Sequence, residues 1–140
     1  MPANMPPKIR INHGSVYAHD PQRAAEHLAA LSGGLARSFH PCEGAWLCFL
    51  TGDDQDWDGP LLEFYPHSVT LASDGGRLVF RKTKLTPRGA GTHFNLTITK
   101  SRKAIEKLCA ERAMTCSGRD WQGLLEVWIE EDLLVECVPA

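Results

Sequence analysis

Several things are missing from this chain of 140 residues, and each absence narrows what it can be. No run of about 18 apolar residues occurs, so no membrane-spanning helix is expected. The opening MPANMPPKIR lacks the apolar stretch of a secretory signal, which makes the cytoplasm the expected location. Its prolines suggest a short extended lead-in. No strong charge of either sign is present: the formal net charge is −2. A basic field for nucleic acid or an anionic membrane is therefore absent. The five cysteines, Cys42, Cys48, Cys109, Cys116 and Cys137, are odd in number and contain no Cys-x-x-Cys pair. They argue for neither a disulfide framework nor a zinc cluster and read as small buried apolar residues, with Cys42 in its HPCEG loop the more exposed. What remains is an ordinary globular composition, 43% hydrophobic and 23% charged, long enough to bury a core.

The chain repeats itself. Shifted by 80 residues, INHGSVYAHDPQRAAEHLAA falls on GTHFNLTITKSRKAIEKLCA. His13 meets His93, Ala24 meets Ala104, Glu26 meets Glu106, Leu28 meets Leu108 and Ala30 meets Ala110, with Arg23 on Lys103. Both copies read as a strand followed by a helix. Ile9, Ile11, His13, Ser15 and Tyr17 would share one strand face; in the second copy Phe94, Leu96 and Ile98 alternate with His93, Asn95, Thr97 and Thr99. Asp20-Pro21 signals a helix start and Gly33-Gly34 a stop, around a stripe of Ala24, Leu28 and Leu31. Ser101 takes the cap role in the second copy, before a stripe of Ala104, Ile105, Leu108 and Cys109.

Three strand-like runs follow each helix. They are Leu35–His40, Ala45–Leu50 and Pro60–Tyr65 in the first copy, and Thr115–Arg119, GLLEVWIE and Asp132–Val138 in the second. The expectation is an α+β protein of one domain over residues 1–140. It is built from a βαβββ module at 8–66 and another at 91–138, with a hairpin inserted at 67–90 around Asp74-Gly75-Gly76.

Two glutamates demand an explanation. Glu63 lies in LLEFY and Glu136 in LLVECV, each in the last strand of a copy and each between apolar neighbours. A carboxylate buried there without a partner is costly. It must reach water, a donor or a cation, and finding this twice at equivalent positions calls for one reason. His13 and His93, on the two opening strands, offer it. Two imidazoles and two carboxylates suit Zn, Ni, Co, Mn or Fe(II), with open positions for water or substrate. A single strand histidine is more often structural, and a single strand glutamate more often solvated; the repetition is what favours a metal.

At these residues the chain resembles the vicinal oxygen chelate superfamily, the fold of glyoxalase I, bleomycin resistance proteins and extradiol dioxygenases. INHGSVYAHDPQRAAEHL looks like the family's opening strand and helix, GPLLEFYP and GTHFNLTI like its boundary between modules, and VWIEEDLLVECV like its closing hairpin. The resemblance covers Ile9 to Val138. It implies a curved mixed sheet around a concave cavity, with helices on the convex side. Carried over by position, it implies a divalent metal held by His13, Glu63, His93 and Glu136, a small-molecule substrate, and a homodimer. It also implies a lyase or isomerase of glyoxalase I type that works through an enediolate-type intermediate, with Glu63 or Glu136 as the catalytic base. Two alternatives share the fold: a non-catalytic small-molecule binder of the drug-resistance kind, and a ring-cleaving dioxygenase. Fold alone does not choose among them.

Other features have plainer readings. Asp54, Asp56, Asp58 and Gly59 are spaced like an EF-hand loop, but Tyr65 stands where a bidentate Glu is needed, so a solvated hairpin loop is expected. Arg77, Arg81, Lys82, Lys84 and Arg88 make the inserted hairpin basic, either as a solvated face or as a clamp for an anionic group, with Arg10 and Arg37 as further candidates. His19, His27, His40 and His67 read as surface residues, His40 and His67 being weak pocket candidates. Trp46 and Trp128 are strand residues that could line the cavity; Trp57 and Trp121 read as anchors.

Overall fold

Asp20 and Pro21 start the first helix as their chemistry dictates. In a computed structural model that describes residues 11–84, 93–119, 123–131 and 133–140, Asp20 accepts a hydrogen bond from the Arg23 N–H at 3.1 Å and Pro21 takes the first helical position. The chain runs β1 (His13–Ala18), α1 (Pro21–Ser32), β2 (Leu35–Ser38), β3 (Trp46–Phe49) and β4 (Leu61–Pro66). The hairpin β5 (Val69–Asp74) and β6 (Arg77–Lys82) follows, then β7 (His93–Thr97), α2 (Arg102–Glu111), β8 (Thr115–Arg119), β9 (Leu124–Glu130) and β10 (Leu133–Val138). Two βαβββ modules separated by a hairpin are what the repeat predicts.

Each module folds its strands into a four-stranded mixed sheet of the same order. In the first the order is β1-β4-β3-β2, and in the second β7-β10-β9-β8. The opening strand pairs in parallel with the last strand, and the other pairings are antiparallel. The hairpin forms its own two-stranded sheet.

Alternation along the strands separates two faces. Val16, Ala18, Cys48, Leu62 and Phe64 from the first sheet meet Leu125, Val127, Val135 and Cys137 from the second, and the helices bring Leu28, Leu31, Ile105 and Cys109 to the same cluster. One core thus runs through both modules. The opening strands also approach each other: a Cβ on Gly14 would stand 3.0 Å from the Phe94 ring. A second tie between the modules comes from Glu130, whose carboxylate accepts the backbone N–H groups of His19 and Asp20 at 2.6 and 2.7 Å.

Several expectations need correction. Ile11 is not on the strand face with His13; it precedes β1 and is 81% exposed, because pairing with β4 begins only at the His13–Leu61 level. Ile9, Arg10, Arg88 and Trp121 lie outside the described residues. Ala104 is exposed, so the stripe of α2 is Ile105, Leu108 and Cys109. Cys42 is buried, packed with Ala45 and Tyr65. His27 is buried too, at 4% exposure, and is no surface residue. Trp46 packs against the core shared with the helices rather than lining the opposite face.

Candidate functional site

The face away from the helices carries the four proposed ligands. Parallel pairing sets them in one register. His13 stands opposite Leu61, two residues before Glu63, and His93 stands opposite Leu134, two residues before Glu136. Since side chains alternate, the histidine and the glutamate of each module project to the same side of neighbouring strands. His13 Nε2 is 4.0 Å from Glu63 Oε1, and His93 Nε2 is 3.3 Å from Glu136 Oε1. Both imidazoles are about half exposed, at 56% and 52%, while the carboxylates are 13% and 16% exposed.

A resident metal can be tested against these pairs. Imidazole nitrogen with carboxylate oxygen is a donor set for Zn, Ni, Co, Mn or Fe(II). Two donors each about 2.1 Å from one ion stand roughly 3.0–3.5 Å apart at ordinary coordination angles. The His93–Glu136 pair meets that spacing, and the His13–Glu63 pair is slightly wider. The donors fit as two half-sets. Among the described residues no three His, Cys, Asp or Glu side chains gather into one group, so each pair stands by itself within this chain.

The surroundings of the two glutamates differ. Tyr65, two residues beyond Glu63 on the same face, donates its hydroxyl to Glu63 Oε2 at 2.8 Å. Tyr65 is buried, at 3% exposure, and its ring stacks on Phe80 at 5.7 Å and meets Phe39 edge-on at 6.3 Å. Burial first, and then the Glu63 carboxylate, push the phenol well above its usual range, which keeps it a donor. Across the strands Glu63 faces Leu47, whereas Glu136 faces Glu126. In the sequence Tyr65 figures only as the last position of the acidic loop; its two-residue spacing from Glu63 on one strand is the signal that puts both on one face.

Other candidates fall into place. Asp56 accepts the Gly59 N–H at 2.8 Å, Asp53 accepts that of Gln55 at 2.9 Å, and Arg37 of β2 pairs with Asp54 at 3.1 Å, so these three carboxylates hold the loop and its tie to β2. Trp57 anchors it on Phe49 at 5.1 Å. His40 is exposed; His67 packs on Tyr17 and His19 at 5.4 and 4.4 Å. Trp128 stands opposite Leu134 and shares the Glu136 side of its sheet. Arg77, Arg81, Lys82 and Lys84 are exposed. The last three also border a cavity of about 810 Å³ whose apolar wall includes Cys42, Val69 and Phe80.

The chain superposes on known structures over nearly its whole length. The chain has the fold of the vicinal oxygen chelate superfamily. A fosfomycin resistance protein, FosX, from Mesorhizobium loti superposes with a TM-score of 0.59 at 7% identity, over 91% of this chain and 89% of the other. A lactoylglutathione lyase from Agrobacterium tumefaciens gives 0.56 at 15% identity, over 97% and 96%. A possible glyoxalase from Bacillus cereus gives 0.56 at 12%, over 92% and 97%. No family model and no curated protein matches the sequence. At these identities the likeness establishes the vicinal oxygen chelate fold and leaves its use to the residues. Among the described residues, no helix is long and apolar enough to cross a membrane.

Proposed function

We propose that the chain is a glyoxalase-like, metal-dependent lyase or isomerase acting on a small oxygenated substrate. One observation carries the reading: a histidine and a glutamate recur in each module in the same strand register and on the same face. His13, Glu63, His93 and Glu136 would hold a divalent cation. Such a cation, when bound, polarises a substrate carbonyl oxygen and acidifies the neighbouring C–H.

The chain's own residues then handle the proton. A carboxylate, from Glu63 or Glu136, would take it from the hydroxyl-bearing carbon next to the carbonyl and return it to the carbonyl carbon; with the hydroxyl proton passing to the former carbonyl oxygen, carbonyl and hydroxyl exchange places. The half-exposed imidazoles leave the site open to a ligand from solvent. Because each His–Glu pair stands by itself, the full set of four is best completed by a second copy of the chain, one module from each.

Metal uptake tests this reading first. Purified protein is expected to bind nickel, zinc, cobalt or manganese stoichiometrically and to lose that binding in Glu63→Gln and Glu136→Gln. It is further expected to isomerise the adduct of a 2-oxoaldehyde with a thiol or with water, which supplies the hydroxyl-bearing carbon. Protein that stays metal-free with all four ions overturns the reading. The cavity at Cys42 and Phe80 favours one rival, a non-catalytic small-molecule binder. A ligand held equally well after His13→Ala and Glu136→Ala would decide for it.

A further inference from the structure

The two modules match in strand order, in register and in their His–Glu pairs, yet their glutamates are held differently. Tyr65 follows Glu63 by two residues and donates to Oε2 at 2.8 Å. The equivalent residue after Glu136 is Val138, whose side chain has no donor. Tyr65 is also not free to swing. The residue is only 3% exposed, and its ring lies between Phe80, stacked at 5.7 Å, and Phe39, edge-on at 6.3 Å. Phe80 belongs to β6 of the inserted hairpin, and Phe39 closes the triangle by meeting Phe80 edge-on at 6.4 Å.

We infer that Tyr65 is a positioning residue: held by Phe80 and Phe39, its hydroxyl fixes the Glu63 carboxylate with Oε1 turned toward His13, a constraint to which Val138 offers no counterpart. The inserted hairpin thereby serves the site without supplying a ligand. A carboxylate has two oxygens and can rotate about its last bond. Occupying Oε2 with a buried donor leaves one oxygen for a cation and removes the rotational freedom that binding would otherwise have to freeze. Partners of this kind outside the ligand set characteristically change metal affinity by 10–100-fold. The role rests on the metal reading proposed above, but the orientation of Glu63 exists without any metal.

The test has two arms, both using Tyr65→Phe, which keeps the ring in its aromatic cluster and removes only the hydroxyl. Titration with Co2+, followed by its visible absorption, is expected to show affinity about 10-fold weaker than wild type and an altered spectrum. Crystal structures of the metal-free wild type and variant are expected to show the Glu63 carboxylate turned from its place in the variant. A carboxylate that keeps its place overturns the positioning role, as does one that turns while Co2+ affinity and spectrum stay at wild-type values. Wild-type protein that takes up no Co2+ or other ion removes the metal reading instead, and the crystal arm alone then decides whether Tyr65 positions Glu63. Should Tyr65→Phe fail to fold, Phe80→Leu keeps the hydroxyl, loosens its hold and is read by the same two arms.

Discussion

His27 sits on α1 with 4% of its surface exposed, and its Nδ1 is buried without a hydrogen-bond partner among the described residues. Its Nε2 accepts from Arg23 Nε at 3.2 Å, which requires a neutral ring. Burial first, and then the positive charges of Arg112 and Arg23, hold its pKa below the ordinary 6.5. The sign follows from linkage: the unfolded chain takes up a proton that the folded ring refuses. This group therefore costs no stability above about pH 6.5 and costs progressively more as pH falls below it, until the folded ring itself titrates. Thermal unfolding midpoints measured from about pH 8 to pH 5 are expected to fall more steeply for wild type than for His27→Leu. Parallel curves would show that the acid sensitivity arises elsewhere. The sequence hid this residue because Ala24, Leu28 and Leu31 already made a sufficient stripe. The apolar arc is wider because α1 packs against both modules, touching β2, β3 and β4 on one side and β9 on the other.

At the scale of elements, two adjacent glycines end α1 for different reasons. Gly33 has φ +76°, and its N–H closes on the Ala29 carbonyl; a Cβ there would meet nothing within 4 Å. Gly34 faces the opposite constraint, since its Cβ would stand 2.5 Å from the Phe49 carbonyl oxygen, where β2 starts against β3. Gly33→Asn is therefore expected to be nearly neutral, because Asn enters the left-handed region readily. Gly34→Ala is expected to cost about 1–3 kcal/mol, the usual penalty for forcing atoms into filled space. Urea unfolding of the two variants gives the comparison, and an equal loss in both would refute the division of roles. The sequence marked this stop but not the difference, since Gly33 answers to its own dihedral angle and Gly34 to a strand fifteen residues away. The same contrast explains what else was legible. Period-two alternation and Asp-Pro, Gly-Gly and Asp-Gly punctuation are local, and they located the strands of the described residues to within a few positions. The hydrogen bond from Tyr65 depends on a hairpin folding back, and no local pattern records that.

On the scale of the whole molecule, the proposed metal site draws on two half-sets of donors, one from each module. The repeat was legible because each copy must solve the same local problem, a carboxylate among apolar strand neighbours beside a histidine. Where the copies stand relative to each other depends on packing between modules, and on any second chain, which a one-dimensional pattern does not encode. The structure keeps His13 with Glu63 and His93 with Glu136, and among the described residues no third His, Cys, Asp or Glu side chain joins either pair. If the complete site joins the first module of one copy to the second module of another, two defective variants can rescue each other. One variant carries His13→Ala with Glu63→Gln, and its mate carries His93→Ala with Glu136→Gln. Each alone lacks one half of every site. In a mixed dimer one site collects both defects and the other collects none. Random mixing makes about half the dimers mixed, so metal uptake is expected to recover to about a quarter of the wild-type level, with activity in proportion. Were each site built within a single chain, every site in the mixture would keep one ruined half and nothing would recover. Co-expression of the two variants under different affinity tags, purification through both tags and a metal assay separate these outcomes, with the mixed species alone expected to bind at half the wild-type stoichiometry.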